Sequence, residues 1–187
     1  QITPAERLKL GVGIGFDFVP MQIESYSDTQ LEALRRGDLA ACFGPEFAGL
    51  PLAKPLTIPS GQMTLIHRVS KLEPRGGRYG LGKIMSEIDI DPNAWFLTSH
   101  FVDDMVMPGT LMYESCMQTL RVFLLRMGWI GETGEIANEP VINVKSRLRC
   151  RGQVIRGVKK AVYEISIKEI GYAPEPYAIG DALMYAD

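Results

Sequence analysis

Two side chains able to exchange protons near neutrality, His100 and Glu114, stand fourteen positions apart with Pro108-Gly109 between them. Histidine titrates close to pH 7, and a carboxyl kept in an apolar pocket can retain its proton there. Such a pair meets the needs of water elimination from a 3-hydroxyacyl thioester: one group takes the proton from carbon 2, the other protonates the departing hydroxyl. Pro108 and Gly109 open a helical pattern, where the first N–H groups have no internal partner and lie at the positive end of the helix dipole. A thioester carbonyl laid against them is polarised, and the enolate-like oxygen formed on loss of the α-proton is held more strongly still. Taken singly, each residue has a plainer reading: a hydrogen-bonded histidine, a turn, a glutamate complementing the dipole. The conjunction carries the chemical reading. His67, in the strand-like stretch Met63–Val69, is read as structural.

These residues need elements to place them. Between Thr110 and Met127 the apolar residues Leu111, Cys116, Leu120, Leu124 and Met127 recur at helical steps, and Gly128 ends the run, so one long helix is predicted with Glu114 in its second turn. Ser27 and Gln30 form a capping-box pattern before Leu31, Ala33 and Leu34, predicting a short helix at 28–36 stopped by Gly37. Pro45, Pro51, Pro55 and Pro59 make 44–61 a connecting arm. Strand signals fall on Met63–Val69, Arg78–Ile90, Val141–Val154, Ala161–Ile170 and Tyr177–Tyr185. A further half-buried strand pattern, Val12, Ile14, Phe16 and Phe18, precedes Pro20. One long helix among antiparallel strands implies an α+β architecture. Gly11, Gly13 and Gly15 imitate a dinucleotide loop, but no capped helix follows them directly, so that reading is rejected.

The 187 residues suit one domain with extensions. With 46% hydrophobic residues, 22% charged residues and a net charge of −2, the chain is globular and has no global electrostatic attraction to nucleic acid. Three widely spaced cysteines and two histidines indicate neither a disulfide framework nor a zinc site. The apolar runs are too short to cross a membrane, and no signal-peptide pattern opens the chain. A soluble protein of a reducing, cytoplasmic compartment is expected. Because the sequence opens on Gln1 and stops in a strand-like segment, a piece of a larger polypeptide is expected too.

The motif also has a family likeness. His100-Phe101, Val106-Met107-Pro108-Gly109, the acid at 114 and Gln118 resemble the β-hydroxydecanoyl-thioester dehydratases of bacterial fatty-acid synthesis. The resemblance continues in the same order through Ser25-Tyr26-Ser27, Arg36-Gly37-Asp38-Leu39, Phe43-Gly44-Pro45, Arg68-Val69, Ile88-Asp89-Ile90-Asp91-Pro92 with Trp95-Phe96, and Gly152-Gln153-Val154 with Lys159-Lys160. It covers 25–187 and leaves 1–24 as an extension or the end of a preceding domain. It implies the hotdog fold, an antiparallel sheet wrapped around one long helix, and a site completed across two hotdogs. Carried over, the catalytic residues are His100 and Glu114. Gly109 holds the thioester carbonyl through its N–H, Gln118 supports the acid, and Phe101, Met107 and Pro108 line the substrate site.

The implied reaction takes a (3R)-hydroxyacyl group on the phosphopantetheine of an acyl carrier protein to the trans-2-enoyl thioester, with no other cofactor and no metal. The implied partners are the carrier protein and a second hotdog, either another copy or a neighbouring domain. Glu114 stands where the narrower family has Asp, as in the general 3-hydroxyacyl carrier-protein dehydratases, which leaves double-bond isomerisation open. Met105 replaces a common proline, Met112-Tyr113 is bulkier than the family pattern, and Asp104 replaces the glycine of polyketide-synthase dehydratases. The chain therefore resembles most the embedded dehydratase domains of polyunsaturated-fatty-acid and related synthases. A non-catalytic hotdog of a tandem pair and a hotdog thioesterase are the competing readings. Finally, Lys145, Arg147, Arg149 and Arg151 alternate with Val144, Ser146, Leu148 and Cys150. On a strand this sets four cations on one face, either as solvated edge protection or as a docking row for an acidic carrier protein, with the other face packed inward.

Overall fold

Glycines at 77, 80 and 82 all take positive φ, and the turn they make folds two strands back on each other. In the computed structural model, which describes residues 20–50, 52, 54–99, 101, 103–130, 138–172 and 176–187, these strands are β2 (Arg68–Glu73) and β3 (Lys83–Asp89). With β1 (Glu24–Tyr26), β4 (Lys160–Gly171) and β5 (Tyr177–Ala186) they form an antiparallel sheet in the order β1-β2-β3-β4-β5. Ile84 pairs with Leu72 on one side and Ile165 on the other. Alternation fixes the faces: Ile84, Ser86 and Ile88 are buried while Lys83, Met85 and Glu87 are not, as a period of two requires.

Among the described residues four helices accompany the sheet: α1 (Asp28–Arg35), α2 (Leu39–Phe43), α3 (Trp95–Ser99) and α4 (Gly109–Arg126). The capping box read from the sequence is present at α1. Ser27 Oγ accepts from the Gln30 N–H at 3.3 Å, and Gln30 Oε1 accepts from the Ser27 N–H at 3.0 Å. Among the described residues of the proline arm and its end, regular structure is confined to short 3₁₀ turns at Pro45–Phe47 and Gly61–Met63, and Leu56 and Ile58 of the arm are buried in the core.

The long helix α4 lies against the buried sheet face. Thr119 Oγ1 is hydrogen-bonded to Ser86 Oγ of β3, and the Phe123 ring closes on Gly82, where a Cβ would stand 2.4 Å from Phe123 Cζ. Small hydroxyl residues at the crossing let helix and sheet approach closely. The deepest face of α4 is therefore Met112, Ser115, Gln118, Thr119, Val122 and Phe123. Of the apolar recurrence that marked the helix, Met127 is buried while Leu111, Cys116, Leu120 and Leu124 are only half-buried, because apolar periodicity marks a stripe without saying which neighbour is nearest. At the other end, Arg126 makes a two-pronged ion pair with Glu24, at 2.8 and 2.6 Å, and its guanidinium lies 5.6 Å from the centre of the Phe47 ring.

An antiparallel sheet with one long helix seated on it is the hotdog architecture. Three expected strands are corrected. Met63–Val69 begins later, as β2, because Gly61–Met63 turns. Arg78–Ile90 shortens to β3, because the glycine turn occupies its start. Val141–Val154 forms no strand with the described residues. It is an exposed segment tied down near its end by the Met107 N–H, which donates to the Val154 carbonyl at 2.9 Å, and by a bridge between Val106 and Ile155. Alternation was present there but a ladder partner was not. The strand pattern at Val12–Phe18 and the three glycines beside it lie outside the described residues.

Candidate functional site

The site is built at the start of α4. Pro108 is the N-cap and offers no side-chain cap. Its carbonyl accepts from the Leu111 and Met112 N–H groups at 3.0 and 3.1 Å, while the Gly109 and Thr110 N–H groups have no backbone acceptor among the described residues. Two N–H groups at the positive helix end without an acceptor among the described residues are what the carbonyl reading requires. Gly109 also meets a steric need. A Cβ there would stand 2.9 Å from Cys150 Sγ and 3.8 Å from Leu148 Cδ2, so the exposed segment passes directly over the helix start.

Glu114 is half-buried, one turn further along. Gln118 is 1% exposed, and its Nε2 donates to Glu114 Oε1 at 3.1 Å and to the Met63 carbonyl at 3.0 Å. Both amide protons are thus committed and the amide orientation is fixed by its acceptors. Donation to Oε1 makes that oxygen an acceptor, so a proton carried by Glu114 rides on Oε2. Gln118 Oε1 is buried with no hydrogen-bond partner among the described residues, and so is Arg121 Nε. Burial pushes the Arg121 guanidinium down from its usual range, opposed by the charge of Glu114; an arginine nevertheless stays cationic.

Met107 is buried, and its sulfur lies 3.9 Å from the Tyr163 hydroxyl, whose pKa burial pushes up to about 12. Phe101 is exposed. His100 lies outside the described residues, so the helix brings together Gly109, Glu114 and Gln118 of the predicted set. The 3₁₀ turn Gly61–Met63 is gripped twice: Gln118 holds the Met63 carbonyl, and the Trp95 indole N–H at the start of α3 donates to the Gln62 carbonyl at 3.0 Å. Two open clefts among the described residues, of about 590 and 450 Å³, contain no predicted site residue.

Arg147, Arg149 and Arg151, with Lys145, are exposed, as solvated edge protection and a docking row both require. The opposite face is not packed inward, however: Val144 is 41% and Leu148 52% exposed, and Cys150 is exposed too. That expectation is corrected for the same reason as the missing strand, since nothing among the described residues pairs with the segment to cover it. Burial pushes the Cys42 and Cys116 thiols up to about 12.

Sequence reading missed a charged cluster on the sheet. Arg68 bonds both Asp89 oxygens at 2.8 and 2.6 Å and Glu87 at 3.0 Å, with Asp28 at 3.7 Å. His67 Nδ1 accepts from the Asp89 N–H at 3.2 Å, which agrees with its structural reading. Potential metal-ligating atoms of Asp28, His67 and Asp89 converge within 4.8 Å, but the Arg68 guanidinium already supplies the cation between the two aspartates.

Fold and site together define an α+β hotdog domain whose long helix presents an open N-terminus and an amide-braced carboxylate. The FabA-like domain family matches residues 58–187. The chain is 36% identical over 157 residues to a subunit of the polyunsaturated fatty acid synthase of a Thraustochytrium species, an alignment covering 83% of this chain and 10% of that protein. The chain thus belongs to the FabA-like domain family, and it spans about a tenth of the length of that relative. No helix among the described residues is long and apolar enough to cross a membrane.

Proposed function

We propose that this domain dehydrates a (3R)-hydroxyacyl thioester, carried on an acyl carrier protein, to the trans-2-enoyl thioester within a fatty-acid synthase of the polyunsaturated type. The observation that carries the reading is the assembly at the start of α4: N–H groups at Gly109 and Thr110 with no acceptor among the described residues, and Glu114 braced by Gln118. In this reading the thioester carbonyl lies on the Gly109 N–H, with Pro108, Met107 and Phe101 around the acyl group. His100 removes the proton at carbon 2, and the enolate-like oxygen is stabilised by the helix start. Glu114 Oε2 protonates the departing hydroxyl, because Oε1 already accepts from Gln118. Water leaves, and the proton that His100 gained returns to Glu114 between turnovers. No metal or other cofactor enters the scheme.

The histidine and acid of one site come from two hotdogs in this reading, either two copies or a neighbouring domain. Support lies in the exposed apolar side chains Ile142, Val144 and Leu148, together with Leu183 and Tyr185 on β5, which a second hotdog would cover. The exposed Arg147, Arg149 and Arg151 serve as the landing row for an acidic carrier protein.

The deciding test is incubation of the chain with 3-hydroxybutyryl and longer 3-hydroxyacyl thioesters, with analysis of products. The enoyl thioester is expected. Free acid would make the domain a thioesterase, and no product from a folded, dimeric chain would make it a structural hotdog.

A further inference from the structure

The face of α4 that carries Glu114 continues through Gln118 to Arg121, a spacing of four and then three residues that keeps all three on one side of the helix. Two buried polar atoms of opposite sense lie on residues of that face without partners among the described residues: Gln118 Oε1, an acceptor, and Arg121 Nε, a donor. Buried polar groups of this kind cost free energy unless paired, directly or through one water. Both protons of the Gln118 amide are already committed to Met63 and Glu114, the buried hydroxyls of Ser115 and Thr119 are bonded elsewhere, and the nearest buried donor in sequence left without a partner among the described residues is Arg121 Nε, three residues on.

We infer that Arg121 is a positioning residue that acts on Glu114 through the Gln118 amide. Its Nε–H is linked to Gln118 Oε1 through a single bridging water. This locks the amide against rotation and polarises it, which strengthens the bond that Nε2 donates to Glu114 Oε1. The carboxyl is then held in one rotamer, with Oε2 free for chemistry. Arg121 makes no ion pair within 4 Å among the described residues, so its place on this face is not explained by tethering α4 to another element. The inference rests on the dehydratase reading for its kinetic consequence, but not for the link between arginine and amide.

The test is a double-mutant cycle in the intact chain, with Arg121→Met, Gln118→Met and the double variant, and with Arg121→Gln as a second single variant should the first misfold. Because Arg121 has no tertiary ion pair among the described residues, its variants should melt within a few degrees of the parent. For dehydration, kcat should fall about ten- to a hundredfold in Arg121→Met, the scale of a small misplacement of a reacting group, with KM within about twofold. The double variant should be no slower than Gln118→Met alone, since the arginine has nothing left to act through. Independently of turnover, solvent exchange of the Gln118 side-chain amide protons, followed by NMR, should quicken about tenfold when Arg121 is removed. Unchanged kcat in Arg121→Met, or rate losses that simply multiply in the double variant, would overturn the inference. If the parent chain does not dehydrate at all, the dehydratase reading fails, and amide exchange alone decides: faster exchange upholds the link, unchanged exchange removes it.

Discussion

At the scale of single residues, the two histidines are a matched pair of opposites. His67 has its Nδ1 occupied by the Asp89 N–H and stands 3.6 Å from the Asp89 carboxylate, which gives it a lasting place in the sheet. His100 lies one residue beyond α3, in the segment that the sequence singles out for chemistry. Substituting each therefore separates structure from catalysis. His100→Ala and Glu114→Gln should each lower dehydration by about two to four orders of magnitude, the range for general acid–base groups, while His67→Ala should leave kcat near that of the parent. Steady-state kinetics on a 3-hydroxyacyl pantetheine thioester checks all three, and a His100→Ala chain turning over normally would rule out the assigned base.

At the scale of elements, the tightest joint is where α4 crosses the end of the glycine turn. Gly82 takes φ +134°, and a Cβ there would penetrate the Phe123 ring. Gly82→Ala should cost about 2–4 kcal/mol in urea unfolding, from backbone strain together with overpacking. Combining it with Phe123→Leu should recover the part due to the ring. The outward face of β2 and β3 gives a second expectation. Hydrogen bonding to Arg68 holds the Asp89 carboxyl down at about 2. A carboxyl whose pKa is lower folded than unfolded contributes stability above about pH 4, and loses it as pH falls through its folded pKa. Unfolding free energy should therefore drop between about pH 4 and pH 2, and Arg68→Gln should flatten that part of the profile. Equal profiles for the two proteins would refute the assignment.

Elements held by local signals could be read from sequence. The capping box at Ser27, and the apolar recurrence with the stop at Gly128, located α1 and α4 to within a residue or two, because caps and periodicity are written within the element itself. The segment 141–154 could not be read the same way. Its alternation says which side chains share a face, but a strand exists only beside a hydrogen-bonded neighbour, and no local pattern names one. The same limit hid Arg121 and the Arg68 cluster: their significance lies in what their atoms meet, or fail to meet, across the fold. That Gly109, Glu114 and Gln118 share one helix was legible from its apolar recurrence; that Gln118 belongs beside Glu114 came from the family resemblance, and the Gln118–Glu114 hydrogen bond agrees with it.

At the scale of the whole molecule, the net charge of −2 conceals an uneven surface, with Lys145, Arg147, Arg149 and Arg151 exposed together on one segment. Arg149→Glu with Arg151→Glu should reduce kcat/KM for substrate on its carrier protein, more so at low salt, and leave a short pantetheine thioester nearly unaffected. Equal loss on both substrates would return the row to the fold. Assembly is tested by mixing. His100→Ala and Glu114→Gln chains, each inactive alone, should regain activity together, because one of the two composite sites in a mixed pair is intact. No recovery from chains shown by sedimentation to exchange would argue for sites complete within one chain.

The doubly gripped turn at Gly61–Met63 acquires a different meaning in such an assembly. Gln118, which braces the acid, and Trp95, which opens the helix leading to His100, are fastened to adjacent carbonyls of one three-residue turn. If acid and histidine belong to opposite sites of a pair, each turn is a crossbar between the two reaction centres, one end of it in each. Displacing the crossbar in one protomer then disturbs the acid of one centre and the base of the other at once. Damage confined to one chain would be shared by both sites, and the pair would behave as one mechanical unit.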